Sequence, residues 1–315
     1  MNNKVTVTGV NLLFFIFSVL FILAQLVLSA LDSIFDLRIF EENIYLVLLI
    51  NEFILILIPV LIFTHVKKLN FKEVFRFNKP GILPLILITC ISIPAYFSAA
   101  MLNNIVAYFF QFIGEIPAQP VPVPQSLLQL GIGILIVGVT PAICEEMLHR
   151  GLLLKGYENR GSMKAVMITS IFFGLFHMDI TNLVGPIFLG ILIGFYVIRT
   201  NSIFAGMLAH FLNNTIAECI SYYYRSIEIV ESQWINLSDL GSIILFGATG
   251  LIIVIVLLRW LNLITFGQSI IKPPISSIRK DMVSILSHWP VIGTLALYLF
   301  VAMLQILLLA SQKFI

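Results

Sequence analysis

Apolar stretches alternate with short polar connections along nearly the whole chain. They run from about Thr8 to Ala30, Tyr45 to Val66, from Pro80 onward, Leu127 onward, Met163 to Met178, Leu183 to Ile198, Ile203 to Tyr224, Leu240 to Ile264 and Val291 to Ala310. About 20 consecutive apolar residues suffice to cross the hydrocarbon core of a bilayer as a helix, so the pattern predicts an all-α, polytopic transmembrane helix bundle of about 8–9 spans. Pro84 and Pro94 remove backbone donors from the third stretch and should kink or break it, leaving a further apolar segment that reaches Ile113. Pro117, Pro120, Pro122 and Pro124 make the connection Gly114 to Gln125 extended rather than helical. Between Lys67 and Phe77, Leu69, Val74 and Phe77 alternate with cations, the pattern either of an amphipathic segment on the membrane surface or of a basic loop.

Composition narrows the class. The 315 residues are 59% hydrophobic and 11% charged, with a mean hydropathy of +1.04. Soluble domains average roughly 25% charged residues, so a soluble fold is excluded. No polar block is long enough to fold separately, and residues 1–315 read as a single membrane domain. A net charge of +2 with dispersed cations implies no nucleic-acid partner. Cys90, Cys144 and Cys219 are odd in number and lie in apolar stretches, which gives no disulfide framework and no paired metal or redox motif. The first apolar run is too long for a signal-peptide core and reads as a span.

Cations orient the bundle, because cytoplasmic connections collect Lys and Arg. With a cytoplasmic N-terminus, only Arg38, Arg225 and Lys313 of the 18 cations fall outside.

Against this apolar background, Cys144-Glu145-Glu146-Met147-Leu148-His149-Arg150 stands out. A charge within the bilayer costs about 2.5–3.5 kcal/mol even on lenient scales and marks function by default. Residues four apart share a helix face, so Glu146 and Arg150 should pair, whereas Glu145 points about 100° away from Glu146 and has a different task. His210 and Asn214, and Phe173 and His177, repeat the spacing of four in later spans. Taking 1.5 Å per residue, Glu145, His177 and His210 lie at depths that agree within roughly two helical turns, so they can converge. Asn51 and Glu52 are also embedded, in the second span; Glu52 is either a second functional carboxylate or an acid paired to a neighbouring helix.

Glu145-Glu146-x-x-x-Arg150, Phe173-x-x-x-His177 and His210-x-x-x-Asn214 together resemble the three-motif signature of the CPBP family, the type II CAAX prenyl endopeptidases and their bacteriocin-processing relatives, also called Abi. The resemblance covers about Leu127 to Ser221 and makes residues 126–221 the catalytic motif core. Residues 272–315, a basic linker and an extra C-terminal span, lie outside it. The resemblance implies an intramembrane glutamic endopeptidase that cleaves a membrane-embedded or lipidated protein or peptide and needs no cofactor. It further implies that Glu145 activates water with His177, that His210 and Asn214 stabilise the oxyanion, and that Glu146, Arg150 and Phe173 support the site. The residues alone leave two other readings open. One is a zinc-dependent intramembrane protease with Glu145, His177 and His210 as ligands, although no short-spaced ligand pair is present. The other is a non-catalytic transporter or immunity protein with a glutamate–histidine proton path.

Tags at the N-terminus and between Lys67 and Lys79 should be cytoplasmic, and a tag at Gln119 external. External labelling of the Lys67 to Lys79 connection in sealed cells would reverse the orientation.

Overall fold

The computed structural model describes residues 4–117, 121–225, 234–267 and 271–312; Gln119, Pro120 and Lys313 lie outside the described residues. The longer helices are α1 (Val7–Phe35), α2 (Ile44–Val66), α3 (Ile82–Phe110), α4 (Leu127–Arg160), α5 (Ser162–Phe176), α6 (Val184–Thr200), α7 (Ile203–Tyr224), α8 (Leu237–Ile264), α9 (Ile278–Leu286) and α10 (Trp289–Ser311). Seven of these are long and apolar enough to cross a membrane, and α5 and α6 are shorter apolar helices. The chain is an integral, multi-pass membrane protein. At 1.5 Å per residue α5 and α6 span only about 22 and 26 Å, less than the ~30 Å hydrocarbon core. They also bury more of their surface within the protein than the outer helices do: Phe172, Phe173, Leu175, Leu192, Ile193 and Tyr196 are all buried.

Local chemistry sets the helix starts. Ser126 accepts a hydrogen bond from the Gln129 amide at the head of α4, Asn236 and Asp239 form a reciprocal capping box on α8, and Ser277 caps α9. The interiors are less regular. α4 widens into π-helical turns at Ile134–Val139 and Met147–Leu153, on either side of the ordinary helix that carries Glu145 and Glu146. α2 widens in the same way at Asn51–Leu57, which includes Glu52. Such turns are rare and occur frequently at functional sites.

The third apolar stretch differs from expectation, because α3 is one continuous helix from Ile82 to Phe110. Pro84 falls in its first turn, where a missing N–H costs nothing, and Pro94 is accommodated inside the helix. Ser98 donates to the Pro94 carbonyl and to Gly247 of α8, where the two helices touch.

The segment 67–79 is not a lipid-facing amphipathic strip. Leu69, Val74 and Phe75 are shielded by protein while Phe71 stays exposed, and Phe75 occupies the space beside Gly151, where an added Cβ would come within 2.3 Å of its ring. Arg76 forms a buried ion pair with Glu158 at 2.8 Å, and its carbonyl accepts from the Ile203 amide at the start of α7. The connection therefore ties the ends of α4 and α7 together.

A second tie follows α8. Lys272 and Ser162 exchange hydrogen bonds, and Asp281 of α9 binds Arg160 at 2.7 Å and Lys164 at 2.6 Å. Burial raises the affinity of Asp281 for a proton, but donors from Lys164, Ser276 and Arg160 outweigh it and hold the carboxyl well below the usual carboxylate range. Its contribution to stability is complete above an ordinary carboxyl pKa of about 3.9 and wanes as the pH falls toward the lowered value. Ile278, Met282, Val283 and Leu286 of α9 remain exposed beside Arg279 and Lys280, the pattern of a helix lying in the membrane interface.

Small residues let α3 and α8 approach closely, as membrane helices require. A Cβ at Gly250 would lie 2.8 Å from the Pro94 carbonyl oxygen, whereas one at Gly241 meets nothing within 4 Å. Gly250→Leu should lower the melting temperature in detergent by several degrees while Gly241→Leu leaves it unchanged; equal melting temperatures would show that this contact contributes little.

Candidate active site

Glu145 and Glu146 emerge from the short α-helical piece Thr140–Glu146 between the two widened turns of α4, and both are buried, Glu146 completely. Their different directions give them different neighbours. Glu146 Oε1 accepts from Arg150 Nη1 at 2.8 Å, the pairing that the spacing of four predicts, and faces His210 Nδ1 of α7 at 2.9 Å. Arg150 Nη2 also donates to the Gly190 carbonyl of α6 at 3.2 Å. One carboxylate thus joins α4 to α7, and its guanidinium partner reaches α6. A Cβ at Gly206 of α7 would sit 3.0 Å from Glu146 Oε2, so that glycine makes room for the carboxylate.

Phe173 of α5 is the apolar centre of the group. The Arg150 guanidinium lies over its ring at 4.4 Å from the centroid, a cation–π arrangement. His149, His177 and His210 approach the same ring edge-on, with centroids at 5.0, 5.3 and 5.7 Å. His149 is fully buried and its Nδ1 lies 2.9 Å from the Glu145 carbonyl, one turn back along the helix.

Glu145 points elsewhere. Its carboxyl lies within electrostatic reach of His177 and Arg150 and near the Glu52 carboxyl of α2, and its Oε2 is enclosed without a hydrogen-bond partner among the described residues. No direct hydrogen bond joins Glu145 to His177 among the described residues. Asn214, half-buried one turn beyond His210, donates to the Val137 carbonyl in the first widened turn of α4 at 2.9 Å, and its own oxygen accepts from Asn213 at 3.2 Å. The structure therefore gathers Glu145, Glu146, Arg150, Phe173, His177 and His210 around one point, with Asn214 alongside.

The turn after His177 is held by α10. Met178 has a left-handed backbone, φ 50°, which is uncommon for a residue with a side chain. Gln305 accepts from the Ile180 amide at 3.2 Å and donates to the Met178 carbonyl at 3.1 Å, and the Tyr298 hydroxyl donates to the Asp179 carbonyl at 3.5 Å. Sequence reasoning did not assign these roles to Gln305, Tyr298, Gly190 or Val137. Gln305, a polar residue inside an apolar span, was the one available signal. The backbone carbonyls carry none.

The residues of the three motifs all fall between Glu145 and Asn214. Residues 127–216 match the Rce1-like family model, described as type II CAAX prenyl endopeptidase Rce1-like. The Rce1-like match bears out the resemblance carried by the three motifs. It runs from the first residue of α4 through α5 and α6 into α7 and leaves α1 to α3 and α8 to α10 outside; α4, α5 and α7 meet at Phe173, and Arg150 reaches on to α6. No curated protein matches the chain, and no solved structure does.

Glu146→Gln removes the charge that faces Arg150 and His210. Leaving one partner of a buried pair uncompensated costs about 3–5 kcal/mol. The variant should therefore give a poor yield and a clearly lowered melting temperature in detergent; wild-type heat resistance would mean that the pair is not the support described.

Proposed function

We propose that this protein is an intramembrane endopeptidase that hydrolyses a peptide bond in a membrane-embedded or lipidated protein or peptide, with Glu145 as the base that activates water. The observation that carries the reading is the convergence of Glu145, His177 and His210 beside Phe173, with Asn214 one turn beyond His210, inside the region that matches the Rce1-like family. The N-terminus is assigned to the cytoplasm by the distribution of cations.

Each residue has a definable task. Glu145 takes a proton from water while the water oxygen bonds to the substrate carbonyl carbon, and the π electron pair of that carbonyl moves onto its oxygen. His177, beside Glu145, orients the water. Collapse of the tetrahedral intermediate breaks the C–N bond, and the proton held by Glu145 passes to the departing nitrogen. Donors aimed at the developing oxyanion matter most where water is scarce, each being worth about 2.7–4 kcal/mol. Asn214 is suited to this, because Val137 occupies only one of its two amide protons.

His210 is subject to a further condition. Its Nδ1 faces a carboxylate that already accepts from Arg150, so Nδ1 carries a proton and donates. Nε2 can then donate to the oxyanion only when the ring holds both protons, and Glu146 supplies the counter-charge for that state. The second acid of the motif thus supports the chemistry through His210 while it holds the helices together.

A zinc mechanism would need Glu145, His177 and His210 to face a common point as ligands. Among the described residues no group of three His, Cys, Asp or Glu side chains is arranged to hold a metal ion, and His210 is turned toward Glu146.

The test is cleavage of prenylated and unprenylated peptides inserted in lipid vesicles by the purified protein, with products read by mass spectrometry. Glu145→Gln should reduce turnover by about 10²–10⁴-fold at an unchanged melting temperature, and cleavage should survive a chelator. Wild-type turnover in the Gln variant would remove Glu145 as the base. Loss with the chelator, restored by stoichiometric zinc, would establish the metal-dependent reading instead.

A further inference from the structure

The Glu52 carboxyl lies opposite the Glu145 carboxyl, brought there by packing of the widened turn of α2 against α4. Both side chains are more than nine-tenths buried, at 8% and 6% exposure. Each leaves Oε2 enclosed with no donor from any other described residue, and the two carboxyls are near enough to share a proton. Two acceptors cannot bond without a proton between them. Two carboxylates side by side away from water also repel strongly, and one shared proton turns that repulsion into a charge-assisted hydrogen bond.

The surroundings provide no other solution for Glu52. The titratable groups that act on the pair from the packed elements are Cys144 on α4, facing both acids, and Arg150 and His177, both facing Glu145. From α1 the adjacent contact is neutral, Gln25 donating to Asn51 at 3.4 Å. The cations thus lie on the Glu145 side, and among the described residues none acts on Glu52. That asymmetry favours a charged Glu145 and a proton resident on Glu52.

We propose that Glu52 is a positioning residue of the catalytic site, a protonated carboxyl that donates a hydrogen bond to the Glu145 carboxylate and aims it at water. The proposal rests on Glu145 as the water-activating base. Glu52 keeps its proton throughout the cycle: Glu145 takes up the proton of water and returns it to the departing nitrogen, so the pair begins and ends with one proton. The shared hydrogen bond holds one oxygen of Glu145 and leaves the other for water.

Two variants separate positioning from packing. Glu52→Gln keeps the shape and supplies a permanent amide donor, whereas Glu52→Leu fills the space without one. A hydrogen bond to a charged group is worth enough for its loss to lower kcat about ten- to a hundredfold. Glu52→Leu should show that fall with KM little changed, and Glu52→Gln should recover most of it. Equal losses in the two variants, or none in Glu52→Leu, would overturn the positioning role.

Infrared spectroscopy of the full-length protein in lipid, read through the carboxylic-acid carbonyl stretch at neutral pH, tests the pair without reference to activity. The wild type should show a buried acid band that is absent in Glu52→Gln and shifted in Glu145→Gln, where the O–H meets an amide instead of a carboxylate. The assignment rests on these differences, since Glu218 is a further buried carboxyl. Glu52→Gln, being isosteric, carries this test whether or not Glu52→Leu folds. Identical wild-type and Glu52→Gln spectra in a protein that cleaves peptides would discard the pair and leave the peptidase reading intact. The expected bands in a protein that cleaves nothing would keep the pair and discard that reading.

Discussion

The bundle depends on a single buried carboxylate. Glu146 is fully enclosed and accepts from Arg150 on its own helix and from His210 on α7, while Arg150 reaches on to the Gly190 carbonyl of α6 and covers the Phe173 ring of α5. Membrane helices gain little from burying apolar surface against one another, because lipid is equally apolar; close packing and polar contacts must hold them in register. Here several of the polar contacts between α4, α6 and α7 radiate from one acid. The neighbouring Glu145 is left out of that network and remains free to face Glu52 and His177.

Much of this was legible in the chain because it depends on short-range periodicity. The pairing of Glu146 with Arg150 follows from a spacing of four, and the opposed directions of Glu145 and Glu146 follow from 100° per residue. Hydropathy gave the all-α bundle, and the three motifs carried the family resemblance that the Rce1-like match bears out. What was hidden depends on tertiary neighbours. Hydropathy cannot distinguish a π-helical turn from an α-helical one, so the widening on both sides of Glu145 and Glu146 left no trace. Segment 67–79 reads the same whether its apolar residues meet lipid or protein, and Phe75 proved to fill the space beside Gly151. Pro94 looked disruptive because the neighbouring α8 was not visible. Glu52 was recognised as either functional or paired, and its neighbour turned out to be Glu145 itself.

Both ties beside the site use ionic contacts at the ends of the central helices. Arg76 with Glu158, and Asp281 with Arg160 and Lys164, bind the segment before α3 and the linker after α8 to the junction of α4 and α5. The short helices α5 and α6, too brief to reach across the hydrocarbon core unaided, are thereby enclosed by longer neighbours and by connections that return to the same end. Met163, Met167 and Ile171 leave one face of α5 exposed, while Phe172, Phe173 and Leu175 face the interior.

The hold of α10 on the turn after His177 bears on the order of events during synthesis. A ribosome delivers α1 to α7 to the membrane first, and segments delivered early can fold before later ones exist. Gln305 and Tyr298 reach the Met178 to Ile180 backbone only after α10 has been made and inserted. Until then the left-handed Met178 and the Ile180 amide lack their partners on α10. A nascent chain that already contains every residue of the three motifs would therefore lack these contacts until α10 has entered the bilayer.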